Sequence, residues 1–285
     1  MDGSQLKDWI GRSETRRDVI RADVAERLAA TLDYEPRAIA EGDPVPPLAH
    51  WCHFLPREPQ SQIGPDGHAR RGGFLPPVHH LPRRMWAGGR LSFPGVLRAG
   101  QAVERRSTIA DVKSKAGGAG ELVFVTVRHE IGEAGGGPAL LLEEHDIVYR
   151  GAQGPAVKPS EITPRGEWHR ALTPDAVMLF RYSALTFNGH RIHYDRDYVT
   201  KEEGYPGLVV HGPLTATLLL DLVARMLPER RIVQFSFRGV SPVFDGNLLH
   251  VNATPPDSEG RVALWATDHE DRLAMKGEAI VSDRR

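Results

Sequence analysis

Two short segments in the second half of the chain carry side chains that can transfer protons. The first, residues 186–195, reads TFNGHRIHYD and places Asn188 and His193 in a stretch that does not look like a regular helix. The second, residues 207–213, reads GLVVHGP and runs directly into an apolar stretch typical of a helix. Imidazole exchanges protons near neutral pH, and free N–H groups at a helix start can polarise a carbonyl oxygen. The two segments together predict acyl chemistry.

The composition limits the kinds of protein that this chain can be. Its 285 residues suffice for one large domain or two ordinary ones, and 40% apolar with 26% charged residues is typical of a folded globular protein. A net charge of -1 argues against a nucleic-acid partner, and no stretch reaches the roughly 18 apolar residues needed to cross a membrane. Cys52 is the only cysteine, which excludes an intramolecular disulfide. Because residues 1–17 are too polar for a secretory signal, we expect a cytoplasmic protein.

The elements that must position the two segments follow from hydrophobic periodicity and from helix breakers. The predicted helices cover residues 23–33, 174–182 (with Thr173 as N-cap) and 214–226. The predicted strands begin near residue 90 and cover 102–115, 122–131, 139–149, 232–240, 248–254, 262–268 and 273–281. Residues 42–82 are too rich in Pro, Gly and His for regular structure, apart from a short helix near 48–55.

The order of these elements occurs twice. In each half a helix-like segment is followed by several β-rich runs, although residue identity between the halves is low. We therefore predict an α+β protein built from two copies of one unit, in which an antiparallel sheet wraps a helix. Residues 1–150 are predicted to form the first unit, 151–165 a linker and 166–285 the second unit. Both segments that can carry chemistry lie in the second unit.

A helix wrapped by a curved antiparallel sheet, doubled within one chain, resembles the double hotdog fold. Residues 185–193 resemble the hydration signature of the MaoC-like, type 2 enoyl-thioester hydratases. In that family a catalytic Asp and a catalytic His stand five residues apart on a loop beside the thioester; this chain has Asn188 and His193 at those positions. The longer form TFNGHRIHYD resembles a subgroup with mesaconyl-C4-CoA and itaconyl-CoA hydratases and mitochondrial type 2 hydroxyacyl-thioester dehydratases.

The chemistry that this resemblance implies can be assigned to single residues. Hydration of a conjugated thioester needs an acid/base group, a place for the water and a donor to the thioester oxygen. We assign the acid/base role to His193. Asn188 is expected either to hold the water through its amide or only to brace the loop. Gly212 is either the oxyanion donor, since glycine permits close approach at the positive end of a helix, or only a helix-start glycine.

Four further residues are candidates for substrate binding. Arg191 is expected to bind a substrate carboxylate or a CoA phosphate, with a salt bridge to Asp195 as an equal alternative. His211 either contacts the substrate or fixes the loop. Arg83 and Arg84 in the first unit are candidates for the phosphates of CoA, with solvated surface charge as the alternative.

The sequence thus predicts an enzyme that adds water reversibly to a short enoyl-CoA. The resemblance implies a C5 dicarboxylic substrate, itaconyl-CoA or mesaconyl-C4-CoA, with citramalyl-CoA as the product. CoA is part of the substrate, so no separate cofactor is expected, and we predict no metal site because the histidines at 50, 53, 79 and 80 lack metal-ligand spacing. The first unit is expected to supply a groove for the acyl group and CoA. A homodimer is a further expectation.

Three other functions are open at this point. A 3-hydroxyacyl-thioester dehydratase of fatty-acid metabolism would run the same reaction in reverse at the same site. A thioester-binding module without turnover would have no need of a proton carrier such as His193. A hotdog thioesterase would rely on an acid on or near the central helix, where Asp221 is the only acid between residues 214 and 226.

Overall fold

The computed structural model of the protein describes residues 6–117, 120–151 and 160–283. Within these residues it contains ten strands in a single antiparallel sheet. The strands are β1 Ser13–Val19, β2 Arg83–Ser92, β3 Ala102–Gly117, β4 Gly120–Glu133, β5 Leu141–Arg150, β6 Trp168–Leu172, β7 Arg230–Gly239, β8 Leu249–Ala253, β9 Arg261–Thr267 and β10 Leu273–Asp283. Their order along the sheet is β1-β3-β4-β5-β2-β7-β10-β9-β8-β6.

The strand order is the same in both halves of the chain. The order β1-β3-β4-β5-β2 in the first half matches β6-β8-β9-β10-β7 in the second. The halves meet where β2 pairs antiparallel with β7, with Gly89 opposite Phe237. This repeat of topology is what a double hotdog fold requires.

The helices of the described residues are α1 Ala22–Thr31, α2 Ala176–Thr186, α3 Arg196–Lys201 and α4 Gly212–Met226. Helix α4 is the central one, since every residue from 214 to 223 is buried and the helix contacts all five strands from β6 to β10. A helix that is covered on all sides needs apolar residues all round, which explains the nearly uniform apolar run of the sequence. The second half therefore wraps its sheet around a helix, as predicted.

Three predictions about local structure are corrected. The N-cap of α2 is Asp175, whose carboxylate accepts a hydrogen bond from the Met178 N–H at 2.8 Å, and not Thr173. Strand β2 begins at Arg83 and not near residue 90. The sequence does not predict this start, because two glycines interrupt the pattern of the strand. The sequence also fails to predict β1 and β6. Both are the edge strands of the sheet and alternate between half-buried and exposed residues, so neither carries an apolar run.

The predicted linker, residues 151–165, is only partly described, since residues 152–159 lie outside the described residues. Its last part packs on the second half: Ile162 forms an isolated bridge with Arg272, and the Thr163 N–H donates to the carbonyl of Asp271 at 2.8 Å. The limits 1–150 and 166–285 stay predictions. Among the described residues, no helix is both long enough and apolar enough to cross a membrane.

Candidate active site

His193 ends a single 3-10 turn, Arg191–His193, and its residue surface is only 6% exposed. Its Nδ1 lies 2.7 Å from the carbonyl oxygen of Val209. Because that oxygen can only accept, Nδ1 carries the proton and Nε2 keeps a lone pair. Burial lowers the pKa of His193 to about 4, so the ring is neutral near pH 7. A fixed, neutral imidazole with a free lone pair is the form that can accept a proton from water.

His211 lies directly behind His193. The two rings are stacked, with centroids 3.6 Å apart and an interplanar angle of 17°. His211 is fully buried, and its Nε2 is hydrogen-bonded to Ser183 Oγ at 2.9 Å. Burial, and then the charge of His193, lower its pKa well below the ordinary value. This placement favours the bracing role of His211 over the predicted contact with substrate.

Gly212 is the first residue of α4 and immediately follows His211. Within the described part of the chain no acceptor takes a hydrogen bond from its N–H. A Cβ added at Gly212 would meet no heavy atom within 4 Å, so its backbone borders open space. Pro213 follows, at a position where the missing N–H has no cost. A free N–H at the positive end of a long helix, next in the chain to the His211 that stacks on His193, is suited to hold a developing oxyanion.

Asn188 follows the end of α2, where Phe187 adopts a left-handed conformation with φ of 49°. The Asn188 side-chain oxygen accepts a hydrogen bond from the His190 N–H at 3.0 Å, and the Asn188 N–H donates to the Ser183 carbonyl at 2.8 Å. These contacts are those of a brace, which was the alternative to holding water. The predicted contact of the Asn188 amide with a water stays a prediction.

Arg191 is held by several neighbours. Its guanidinium forms a salt bridge with Asp195 at 2.8 Å, donates to the Pro65 carbonyl at 3.0 Å and lies over the Tyr198 ring at 4.1 Å. The salt bridge that was the alternative for Arg191 is therefore present. With its donors engaged in this way, the contacts favour a structural role over binding of a carboxylate or phosphate.

A turn from the first half of the chain, residues 64–68, packs on the loop that carries the motif. The Arg191 N–H donates to the Asp66 carbonyl at 2.9 Å, and the backbones of Gly67 and Gly189 are in direct contact. The His68 ring lies 4.0 Å from the His190 ring, and His190 lies 5.5 Å from His193. The sequence carries no signal for this turn, because no spacing rule links residues more than 120 positions apart.

Asp66, His68 and His190 form a group in which one ligand atom from each lies within 4.8 Å of the others, a spacing that would suit a metal ion. The two histidines of this group are not among those considered from the sequence, which are at positions 50, 53, 79 and 80. His68 Nδ1 already donates to Asp66 Oδ2 at 2.9 Å, and the positive charge of Arg84 acts on both histidines. Both features disfavour a cation, so we interpret the group as a hydrogen-bonded cluster.

Arg83 and Arg84 have different surroundings, as successive residues of a strand do. Arg83 forms a salt bridge with Glu203 at 3.1 Å and is largely buried, which is not the solvated surface charge of the alternative. Arg84 lies opposite Tyr149 of β5 in the strand register. The structure thus separates these two candidates and brings Arg84 to the side of the His68 and His190 cluster.

Asp221, the acid that a thioesterase would use, is fully engaged. It is 7% exposed, forms salt bridges with Arg170 at 2.8 Å and Arg225 at 2.9 Å, and accepts a hydrogen bond from the Tyr34 hydroxyl at 2.5 Å. A carboxylate held by two guanidinium groups is a poor nucleophile or base. The central helix therefore gives no support to thioesterase chemistry.

Comparisons with known proteins identify the family of the chain. Residues 48–245 match the family model described as hydroxyacyl-thioester dehydratase type 2. The chain is 47% identical over 281 residues to the mesaconyl-C(4)-CoA hydratase of Chloroflexus aurantiacus, covering 94% of this chain and 98% of that protein. It is 28% identical to the mitochondrial hydroxyacyl-thioester dehydratase type 2 of Schizosaccharomyces pombe, over 86% of this chain and 88% of that protein.

Solved structures share the fold. A MaoC-like dehydratase from Phytophthora capsici superposes with a TM-score of 0.71 at 14% identity, over 100% of both chains. A protein from Mycobacterium tuberculosis described as a double hotdog superposes with a TM-score of 0.57 at 13% identity, over 96% of both chains. The predicted double hotdog fold is confirmed. The chain belongs to the hydroxyacyl-thioester dehydratase type 2 family, and the hydro-lyase class predicted from residues 185–193 is confirmed with it.

Proposed function

We propose that this enzyme adds water reversibly across the C=C bond of a short enoyl-CoA that carries a second carboxylate, with mesaconyl-C4-CoA as the first candidate and citramalyl-CoA as the product. The observation that carries the proposal is the neutral, fixed His193 imidazole, stacked on His211, whose chain neighbour Gly212 has a free N–H among the described residues. The 47% identity to a mesaconyl-C(4)-CoA hydratase supports the choice of substrate.

In the proposed reaction His193 Nε2 accepts a proton from a water molecule while the water oxygen bonds to the β carbon. The electrons of the C=C bond move toward the thioester carbonyl, whose oxygen gains negative charge and is held by the Gly212 N–H. The proton then passes from His193 to the α carbon, the carbonyl re-forms and His193 returns to its neutral form. His211 and Ser183 keep the His193 ring in place from behind.

The experiment follows the absorbance of the conjugated thioester when purified enzyme, mesaconyl-C4-CoA and water are mixed. The absorbance should fall without release of free CoA, and His193→Ala should lower kcat at least about 100-fold when compared with the wild type at equal folded fraction. His79→Ala is the control, since His79 is an exposed histidine of the first half. Release of free CoA, or an active His193→Ala variant, would contradict the proposal.

A 3-hydroxyacyl-thioester dehydratase of fatty-acid metabolism is the second candidate. The family description and the Schizosaccharomyces pombe relative favour it, and the same site would catalyse loss of water. Enoyl-CoAs of increasing length separate the two candidates, because a fatty-acid enzyme should prefer long, uncharged chains. A thioester-binding module without turnover would show binding of these compounds and no change in absorbance.

Three further expectations concern the cofactor, the compartment and the oligomeric state of the enzyme. CoA enters as part of the substrate and no other cofactor takes part. The enzyme acts in the cytoplasm. It forms a homodimer, which light scattering on the purified protein would test through a mass of twice the 31.5 kDa chain.

A further inference from the structure

Arg71 and Arg84, two arginines of the first half, lie next to Tyr149. Arg84 on β2 is its direct neighbour in the strand register, and the Arg71 guanidinium lies over its ring at 5.1 Å. Arg71 also donates to the backbone carbonyls of Val78 and Pro82, the latter at 2.6 Å. These bonds fix the guanidinium and leave its positive charge in place.

Among the described residues neither arginine forms a salt bridge with a carboxylate, and the only carboxylate whose charge acts on Arg71 is Asp66. Strand β2 does form ion pairs, but they belong to Arg83 and to Arg90. Both Arg71 and Arg84 are half-buried, so water screens their charges less than at an open surface. Both guanidinium groups lie against Tyr149, and burial, followed by the charge of Arg84, lowers the pKa of Arg71. Two adjacent guanidinium groups without a salt bridge to a carboxylate are suited to bind an anion.

The pair borders the acid/base site. Arg71 is only three residues beyond His68, whose ring packs on His190 at 4.0 Å, and His190 in turn lies 5.5 Å from His193. Burial is the main reason that the pKa values of His68 and His190 are lowered, and the charge of Arg84 lowers both further. Asp66 is the acid of this cluster, and it is hydrogen-bonded to His68. Positive charge therefore exceeds negative charge on this side of the site.

The substrate of the proposed function carries an anionic group on the carbon that receives the hydroxyl group. In mesaconyl-C4-CoA the β carbon, which receives the hydroxyl group, also carries the free carboxylate. A group that binds this carboxylate must therefore lie within a few ångströms of the water that His193 activates. We propose that Arg84, supported by Arg71, binds the free carboxylate of the substrate and restricts the enzyme to dicarboxylic enoyl thioesters. This inference rests on the proposed function and assigns Arg84 to the acyl group, where the sequence suggested the phosphates of CoA.

The test compares two substrates that differ only in the anion. In 3-methylcrotonyl-CoA a methyl group replaces the carboxylate of mesaconyl-C4-CoA. We expect Arg84→Gln to lower kcat/KM for mesaconyl-C4-CoA by about 100-fold or more, because one partner of a partly buried charge pair is lost. The same variant should change kcat/KM for 3-methylcrotonyl-CoA by less than about threefold. Arg90→Gln, on the same strand but paired with Glu144 and Asp146, is the matched control and should change neither value.

The outcomes separate this inference from the proposed function. An enzyme that hydrates neither compound fails the proposed function itself. Normal hydration with an equal loss on both substrates, or with no loss in Arg84→Gln, overturns the role of Arg84 and leaves the hydratase intact. If Arg84→Gln does not fold, inhibition of the wild-type enzyme decides: methylsuccinyl-CoA with its thioester at C4 should bind at least about 30-fold more tightly than isovaleryl-CoA. Equal inhibition constants overturn the inference.

Discussion

The contact between Gly67 and Gly189 predicts that a single methyl group will separate the two loops of the site. A Cβ at position 67 would overlap the Gly189 carbonyl group, with the carbonyl carbon at 2.7 Å and its oxygen closer still. Real Cβ atoms essentially never come within 3.0 Å of another heavy atom. Because both partners are backbone, no side chain can move aside. In Gly67→Ala the turn at residues 64–68 must therefore move away from the motif loop.

The expected magnitude has two parts. Gly67 has φ of +88°, a left-handed conformation that costs an alanine about 1–2 kcal/mol in folding free energy. The overlap adds a displacement of roughly 1 Å beside His190, and a misplacement of this size near a reacting centre costs about 100-fold in rate. We therefore expect Gly67→Ala to lower kcat/KM by about 100-fold and to destabilise the fold by at least the conformational cost.

The variant Gly42→Ala separates the conformational cost in folding free energy from the effect of the overlap on the rate. Gly42 has φ of +86°, nearly the same conformation, but an added Cβ there meets nothing within 4 Å. It should lose about 1–2 kcal/mol in a urea titration and keep its wild-type kcat/KM. Steady-state hydration of mesaconyl-C4-CoA by both variants at equal folded fraction is the assay. Equal kcat/KM for the two variants would refute the idea that the turn holds the site in place.

Two further predictions concern stability. Asp175→Ala should lower the free energy of unfolding by about 1 kcal/mol with unchanged kcat, because α2 loses its N-cap, whereas Thr173→Ala should have little effect; a larger loss in Thr173→Ala would show that the cap is misassigned. Acid should destabilise the protein between about pH 6.5 and pH 4, because buried histidines with lowered pKa values take up protons only on unfolding, at up to about 1.4 kcal/mol per pH unit for each. Urea midpoints that are equal at pH 7 and pH 5 would contradict this. The histidines and their pKa values are His129 (about 3), His145 (about 4) and His193 (about 4).

The sequence predicts those helices and strands whose hydrophobic pattern follows directly from their burial. Helix α4 is buried over ten successive residues, so its apolar run stands out, and α1 was predicted to within two residues at each end. In the inner strands β3 to β5 and β7 to β10, apolar residues alternate with polar ones or form short runs. The edge strands β1 and β6 lack a neighbour on one side and carry many polar residues, so their sequences give no such signal.

The candidate site was predictable to the extent that it is local in the chain. His193, Asn188 and Gly212 lie within 25 positions, and a motif can place them together. Their hydrogen bonds are not predictable in the same way. Asn188 offers its oxygen equally well to a water or to a backbone N–H two residues on, and only the left-handed turn at Phe187 decides for the His190 N–H.

Asn188 cannot supply a carboxylate to the site. Its side-chain oxygen accepts a hydrogen bond from the His190 N–H, and a neutral amide brings no charge to the site. The carboxylate beside His68 and His190 is instead Asp66, which is hydrogen-bonded to His68 and lies in a turn that the sequence assigns to the first unit. The arginine pair proposed to bind the substrate carboxylate comes from the same half, so the negative and the positive groups beside the His68 and His190 cluster all come from the first half of the chain. A repeat without the hydration motif can therefore still decide which acyl group the enzyme hydrates.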